Sequence, residues 1–284
     1  MHVRSASWSV LALGVAVLFG GCAQVQQVLQ NVSRPSAEVT GVRLGSLGFE
    51  RATLVFDVAV TNPLSVALPL LDLDLDLASG DRSFASAALP LGGVVAAGAT
   101  RTLEAPVEVD LLQTLRTLSS VRPGQVVDYR AELGLSIDVP AMGRQRLPLV
   151  QDGELPIPAV PRVSIDAFRM DDVGLTGVTG TTVLRVGNPN AFAVGLEGLD
   201  VGLRLGGRDV GGLRALQPLR LAEEGEGLVE IPMSLSTVDL GSALLQIFRG
   251  SSADYGLNGS ASLSTPFGDL QAPIDVTGSA PVQR

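Results

Sequence analysis

A set of landmarks recurs along this chain at a fixed offset. Shifting the sequence by 126 positions superposes Asn62-Pro63 on Asn188-Pro189, Glu104 and Pro106 on Glu230 and Pro232, and Asp128-Tyr129 on Asp254-Tyr255. After one deletion, an offset of 125 brings Pro148 onto Pro273, Gly153 onto Gly278 and Pro156 onto Pro281. Few other side chains match, yet the order holds over about 120 residues. A repeat that long is a domain in its own right, large enough to bury its own core. The chain of 284 residues therefore holds two copies of one fold.

Within each copy the hydrophobic period is two. Leu54, Phe56, Val58 and Val60 alternate with less consistent neighbours, and Leu71, Leu73, Leu75 and Leu77 alternate with Asp72, Asp74 and Asp76. Tyr129, Ala131, Leu133, Leu135 and Ile137 follow the same rule, as do Leu199, Val201 and Leu203 and the run from Tyr255 to Leu263. Such alternation marks half-buried antiparallel strands, apolar toward a core and polar toward water. Gly and Pro clusters punctuate the strands at short intervals. The expected fold is all-β: two tandem antiparallel β-sandwiches of the immunoglobulin or fibronectin-III kind, each with one short α-helix. The first helix is placed at Asp110–Leu118, where Asp110 caps the first turn and Gln113 reaches back. The second carries Leu240, Leu244, Ile247 and Phe248 on one face and stops at Arg249-Gly250. Pro156-Ile157-Pro158-Ala159-Val160-Pro161 is the joint, stiffened by its prolines.

Asn-Pro ends a strand in both copies. Pro lacks the N–H a ladder needs and pushes the residue before it toward extended backbone, while Asn bonds nearby backbone in turns. Asn62, Pro63, Asn188, Pro189 and Asn190 are therefore read as corner residues, with the next strands resuming at Val66 and Phe192. Turn chemistry suffices, and no binding role is required of them.

The scarce residues lie at the N-terminus: the only His is His2, the only Trp is Trp8 and the only Cys is Cys22. His2 and Arg4 open a polar start, Val10–Phe19 is an apolar run too short to span a bilayer comfortably, and Gly20-Gly21-Cys22 ends it. Leu-Phe-Gly-Gly-Cys resembles the lipobox of bacterial lipoproteins, with Phe19 where that pattern usually has Leu and Leu18 one place earlier. The resemblance implies a signal peptide over 1–21 and Cys22 as the lipidated first residue of the mature chain. Ala23 after the Cys, rather than Asp, implies the outer membrane, on its periplasmic face, in a two-membrane bacterium. Diacyl lipidation would supply a stable anchor. Residues 22–37 then form the lipidated Cys and a tether. In it Val25, Val28, Leu29 and Val32 fall at helical spacing, compatible with a spacer or with a short amphipathic helix. The two domains occupy 38–158 and 159–284.

A strand ending in Asn188-Pro189-Asn190, then Phe192, then a Leu-rich alternating strand closing at Gly206-Gly207 resembles the late embryogenesis abundant type 2 family, also called the water stress and hypersensitive response domain. The resemblance spans 38–157 and 161–282. Unit one keeps Asn62 and Pro63 but has Leu64 where the family often has Asn or Tyr. The family's seven-stranded sandwich with one helix agrees with the reading above. Membership implies a role in desiccation or cold stress with protection of other proteins, and brings no catalytic residues.

Composition narrows the function classes. The net charge of −9, with all 20 basic residues Arg, lacks the basic footprint that nucleic acid or an anionic bilayer requires. A mature chain without His or Cys assembles neither a Ser-His-Asp or Cys-His constellation nor a His-ligated zinc site. Asp72, Asp74 and Asp76 are read as a solubility device on an edge strand, without the loop geometry of a dedicated calcium site. Glu223-Glu224-Gly225-Glu226-Gly227 is read as an exposed hairpin tip. No cofactor and no catalysis are expected. Three functions remain: a lipid-tethered protective or envelope-stabilising protein that binds macromolecules reversibly, a module holding an acyl chain in its sandwich, and a passive spacer or assembly subunit. Its partners would be the membrane, through the lipid, and protein clients or lipid.

Overall fold

The computed structural model describes residues 34–284 except 175–176, 216, 237–247 and 249. The first unit begins with β1 (Ser36–Leu47), β2 (Arg51–Thr61), β3 (Leu68–Ser79), β4 (Arg82–Pro90), β5 (Val94–Val95) and β6 (Thr100–Asp110). It continues through α1 (Leu111–Thr117), β7 (Val126–Val139) and β8 (Gly143–Pro156). One sheet runs β1-β2-β6, and the other β4-β3-β7-β8 with the short β5 on β3. Phe56 and Val58 from the first sheet meet Leu73, Leu75, Leu133 and Leu135 from the second in one core. Burial of each such side chain contributes about 1.5–3 kcal/mol, which is why alternation alone commits both sheets to face each other.

The second unit repeats the plan with β9 (Arg162–Val173), β10 (Gly177–Gly187), β11 (Val194–Leu205), β12 (Arg208–Ala215) and β13 (Leu219–Leu221). It closes with β14 (Glu226–Ser236), β15 (Ser252–Thr265) and β16 (Gly268–Gln283). Its strand order is β12-β11-β15-β16-β9-β10-β14 with β13 on β11. The two layers are joined where β16 pairs parallel with β9 at Val282–Phe168 and Gln283–Arg169. All other ladders among the described residues are antiparallel. The all-β sandwich architecture expected from the alternation is the one observed.

Asp110 caps α1 as its position implies, its carboxylate accepting the Gln113 N–H at 2.8 Å. Of the second helix only Phe248 is described; Leu240, Leu244 and Ile247 lie outside the described residues. Phe248 is helical, fully buried and edge-on to Phe168 at 5.9 Å between ring centroids.

Two details differ from the sequence expectation. The inward phase of β3 slips at Leu71: Leu70 and Leu73 are buried while Leu71 is not. A register shift against β7 between Leu70 and Asp72 is the cause, since one inserted residue reverses every side chain before it. And β3 is not an edge. It lies between β4 and β7, so the acidic row of Asp72, Asp74 and Asp76 does not guard an open strand.

Candidate functional site

Asn62 is fully buried and Asn188 nearly so, although both are polar. A buried amide is tolerated only when its donors and acceptor are paired. Asn62 Nδ2 donates to the carbonyls of Val66, Val95 and Ala96 at 2.8–3.1 Å, and its Oδ1 accepts the Leu64 N–H at 3.0 Å. In unit two Asn188 Nδ2 donates to the carbonyls of Phe192 and Ala222, and Oδ1 accepts the Asn190 N–H. Backbone bonds repeat at the same offset. The Asn62 N–H donates to Ala99 and Gly98 N–H to Leu64, matching Asn188 to Gly225 and Glu224 to Asn190. Each Asn thus closes an Asx turn and also staples the corner to the loop before β6 or before β14. Because the Val66 and Phe192 carbonyls accept these amide bonds, the next strands begin two residues later than expected, at Leu68 and Val194. The Glu223–Gly227 turn is likewise more than a free tip: Glu223 and Glu224 are exposed, but Gly225 holds the corner.

The third motif position separates the two corners. Asn190 is buried, and its side chain reaches back to grip the joint: Oδ1 accepts the Ala159 N–H at 2.8 Å and Nδ2 donates to the Ala159 carbonyl at 3.1 Å. Nδ2 also reaches Asn188 Oδ1 at 2.8 Å. Beside it the Ala191 N–H donates to the carbonyl of Gly124 in unit one at 2.7 Å. Gly124 has φ +98°, and a Cβ there would run into the Pro189 carbonyl, so only glycine lets the two backbones come this close. Leu47, Phe49 and Val126 of unit one pack against the core of unit two. Leu64, at the equivalent place in unit one, lies against its own core instead. Neither Gly124 nor Ala159 stands out in the sequence, because their partners come from a distant corner.

A second repeated device joins β7 to β8 and β15 to β16. Tyr129 sits opposite Gly153, and Tyr255 opposite Gly278. In each pair a Cβ on the glycine would meet the tyrosine oxygen, at 2.5 Å and 2.7 Å, so the ring lies across the bare backbone of its neighbour. The hydroxyls differ. Tyr255 Oη accepts the Ile165 N–H of β9 at 3.0 Å, across the gap between the two sheets. Tyr129 Oη has no hydrogen-bond partner among the described residues, although Tyr129 is only 4% exposed. Burial pushes the Tyr129 phenol above its ordinary value, since the charged form would be poorly solvated. The hydroxyl borders a cavity of about 400 Å³ between β1 and β8, to which Phe267 of unit two contributes a wall.

The acidic row faces water, and two of its three carboxylates are paired with arginine across the sheet. Arg144 donates to Asp72 at 2.8 Å, Arg146 pairs with Asp74, and Ser83 donates to Asp76 at 2.6 Å. The Arg146 guanidinium crosses over Gly134 of β7, where a Cβ would collide with it. Its hydrogen bond and charge hold the Asp74 carboxyl below the usual range. Among the described residues no group of His, Cys, Asp or Glu is placed to hold a metal. Cys22 lies outside the described residues.

Corner, staple and cross-strand tyrosine, each present twice, define a tandem β-sandwich protein whose most distinctive polar side chains are occupied in holding its own backbone. The chain belongs to the late embryogenesis abundant protein family, whose sequence pattern matches residues 57–153 and 183–278, one stretch in each sandwich. The late embryogenesis abundant protein Lea14-A of Gossypium hirsutum is 32% identical over 130 residues, 46% of this chain and 86% of its own length. The desiccation protectant protein Lea14 homolog of Glycine max is 30% identical over 136 residues, 48% of this chain and 90% of its own. The solution structure of AT1g01470 from Arabidopsis thaliana, at 27% identity, covers 45% of this chain and 84% of that one with a TM-score of 0.38.

Proposed function

We infer that this chain is a non-catalytic, stress-protective protein that binds other macromolecules reversibly, tethered to the cell envelope by lipid on Cys22. The observation that carries the protective part is the family match in both sandwiches, with relatives named for desiccation. Each Asn corner engages its amide with its own backbone, so protection is assigned to sheet edges and surfaces rather than to a polar pocket. The anchor rests on the Gly20-Gly21-Cys22 segment alone.

Two measurements test this reading. A labile enzyme dried with the full chain should retain more activity on rehydration than one dried with an equal mass of albumin; equal recovery removes the protective role. Cys22→Ala should release the protein from the membrane fraction. If the uncleaved chain stays membrane-bound, the leader is an anchor and the lipid reading fails.

A further inference from the structure

Unit two shows how this sandwich closes its seam, and unit one leaves the same seam open. In unit two Val163, Ile165, Phe168 and Met170 of β9 are all buried. Their counterparts in β1, by the 126-residue offset, are Ala37, Val39, Val42 and Leu44, and none of the four is buried. Three closing contacts of unit two have no equivalent. The β16–β9 bridge is missing, because Ile157, where that bridge would fall, turns away to bond Gln125 and Gly124. Among the described residues unit one has no aromatic pair like Phe168–Phe248, and Val42 stands at the strand position of Phe168. And the Tyr129 hydroxyl, on the half-open cavity between β1 and β8, lacks the strand N–H that Tyr255 finds on Ile165.

Among the described residues β1 and β8 are both outer strands of their sheets, each laddered on one side only. Val39 faces Val58 as Ile165 faces Leu184, so the Val39 N–H points into the seam as Ile165 N–H does. We propose that the open seam of unit one is a binding site for an extended polypeptide segment of alternating apolar residues, which adds a strand along β1 and buries its apolar side chains against Val39, Val42, Leu44 and Tyr129. The physical reason is that the seam offers two things at once. An apolar stripe at period two calls for apolar side chains, and an unpaired backbone edge calls for backbone N–H and C=O groups. An acyl chain satisfies the first and strands the second; a peptide strand satisfies both. The rim adds a charge preference. Asp128 and Glu154 sit directly opposite each other without an ion pair among the described residues, so the outward side chains of the guest strand are best basic. Such segments are what a partly unfolded protein exposes, and the proposal thus deepens the protective reading and rests on it.

The test uses the full chain and a fluorescent peptide of alternating valine and threonine ending in arginine. Saturable binding is expected. The variant Val42→Phe puts the ring that Phe168 carries in unit two into the seam of unit one and should weaken it about tenfold, which is about 1.4 kcal/mol. Tyr129→Phe, which keeps the ring over Gly153, should also weaken binding and decides the matter if the Val42 variant does not fold. Binding unaffected by either change places the site elsewhere and overturns the proposal. So does binding of a fluorescent fatty acid in place of the peptide, which makes the seam an acyl site. Self-association of the wild type that the variants abolish would give the seam to a second copy, again against the proposal. The two readings fail separately. Protection on drying that survives closure of the seam sinks the seam alone, whereas peptide capture without any protection sinks the protective role alone.

Discussion

Replacing Asn190 by Leu, the residue that unit one carries at position 64, should loosen the junction between the units while leaving each sandwich folded. The Asn190 side chain makes the two bonds that hold Ala159 and a third to Asn188. Leu makes none of them, and leaves a half-buried N–H and C=O on Ala159 without their partners. Each unsatisfied buried group costs about 1–3 kcal/mol, and because water reaches part of Ala159 the low end applies, about 1–1.5 kcal/mol each and about 2–3 kcal/mol for the pair. On a chain of this size that lowers Tm by roughly 4–12 °C. Gly124→Ala attacks the same junction from the other side, through its positive φ and the collision with the Pro189 carbonyl. The two substitutions should therefore be strongly non-additive, as contacts sharing one interface are. Calorimetry of wild type, both single variants and the double variant measures this, with solution scattering to follow the separation of the units. A melt for Asn190→Leu within about 1 °C of wild type, or costs that simply add, would show that the Ala159 grip carries no load.

Asn62→Ala and Asn188→Ala should each destabilise by about 2–4 kcal/mol, since several backbone groups of a buried staple lose their partner at once; urea titration checks this, and a cost below about 0.5 kcal/mol would reduce the corner to an ordinary turn. Gly153→Ala should lower stability by about 1–3 kcal/mol by pushing the Tyr129 ring off its neighbour strand, and should cost less in the background of Tyr129→Phe. Asp74 has its folded pKa depressed by Arg146, so its share of stability is present above the unfolded value and lost as pH falls through the folded one. Asp74→Asn should therefore narrow the stability gap between pH 7 and the acid side of the carboxylate range; an unchanged gap refutes it. Residues 34–158 and 159–284 expressed apart should each give a cooperative β-type melt, lowered relative to the whole chain because Leu47, Phe49 and Val126 lose their cover. An unfolded half would mean that the junction is part of its core.

Much of the architecture was readable from the residues alone because its causes are local. Period-two alternation decides which face of each strand is apolar, and the turn chemistry of Asn-Pro decides where strands end. The repeat of both along the chain declares two domains. Asp110 as helix cap and Tyr129 and Tyr255 as inward residues follow from the same short-range rules. The slip at Leu71 is not legible in the sequence, because a bulge is defined only against a partner strand, and the partner of β3 is more than fifty residues away in β7. The edge reading of the acidic row failed for the same reason: whether a strand is an edge depends on strand order, and alternation is silent on order.

Two sandwiches, their corners and the lack of His and Cys chemistry after residue 22 follow from the residues alone, since composition and short-range pattern do not depend on which strands meet. What joins the copies and what distinguishes them comes from packing. Asn190 reads as one more corner residue until Ala159 and Gly124 are brought beside it by the docking of the units. Tyr129 and Tyr255 are equivalent letters at equivalent places, yet one hydroxyl finds a strand N–H and the other borders a cavity. The difference arises because β16 can run on to meet β9, whereas β8 must turn aside at Ile157 to reach the next unit. A hydrogen bond or a void at a seam depends on where two distant strands end, and chain connectivity, not side-chain identity, sets that ending.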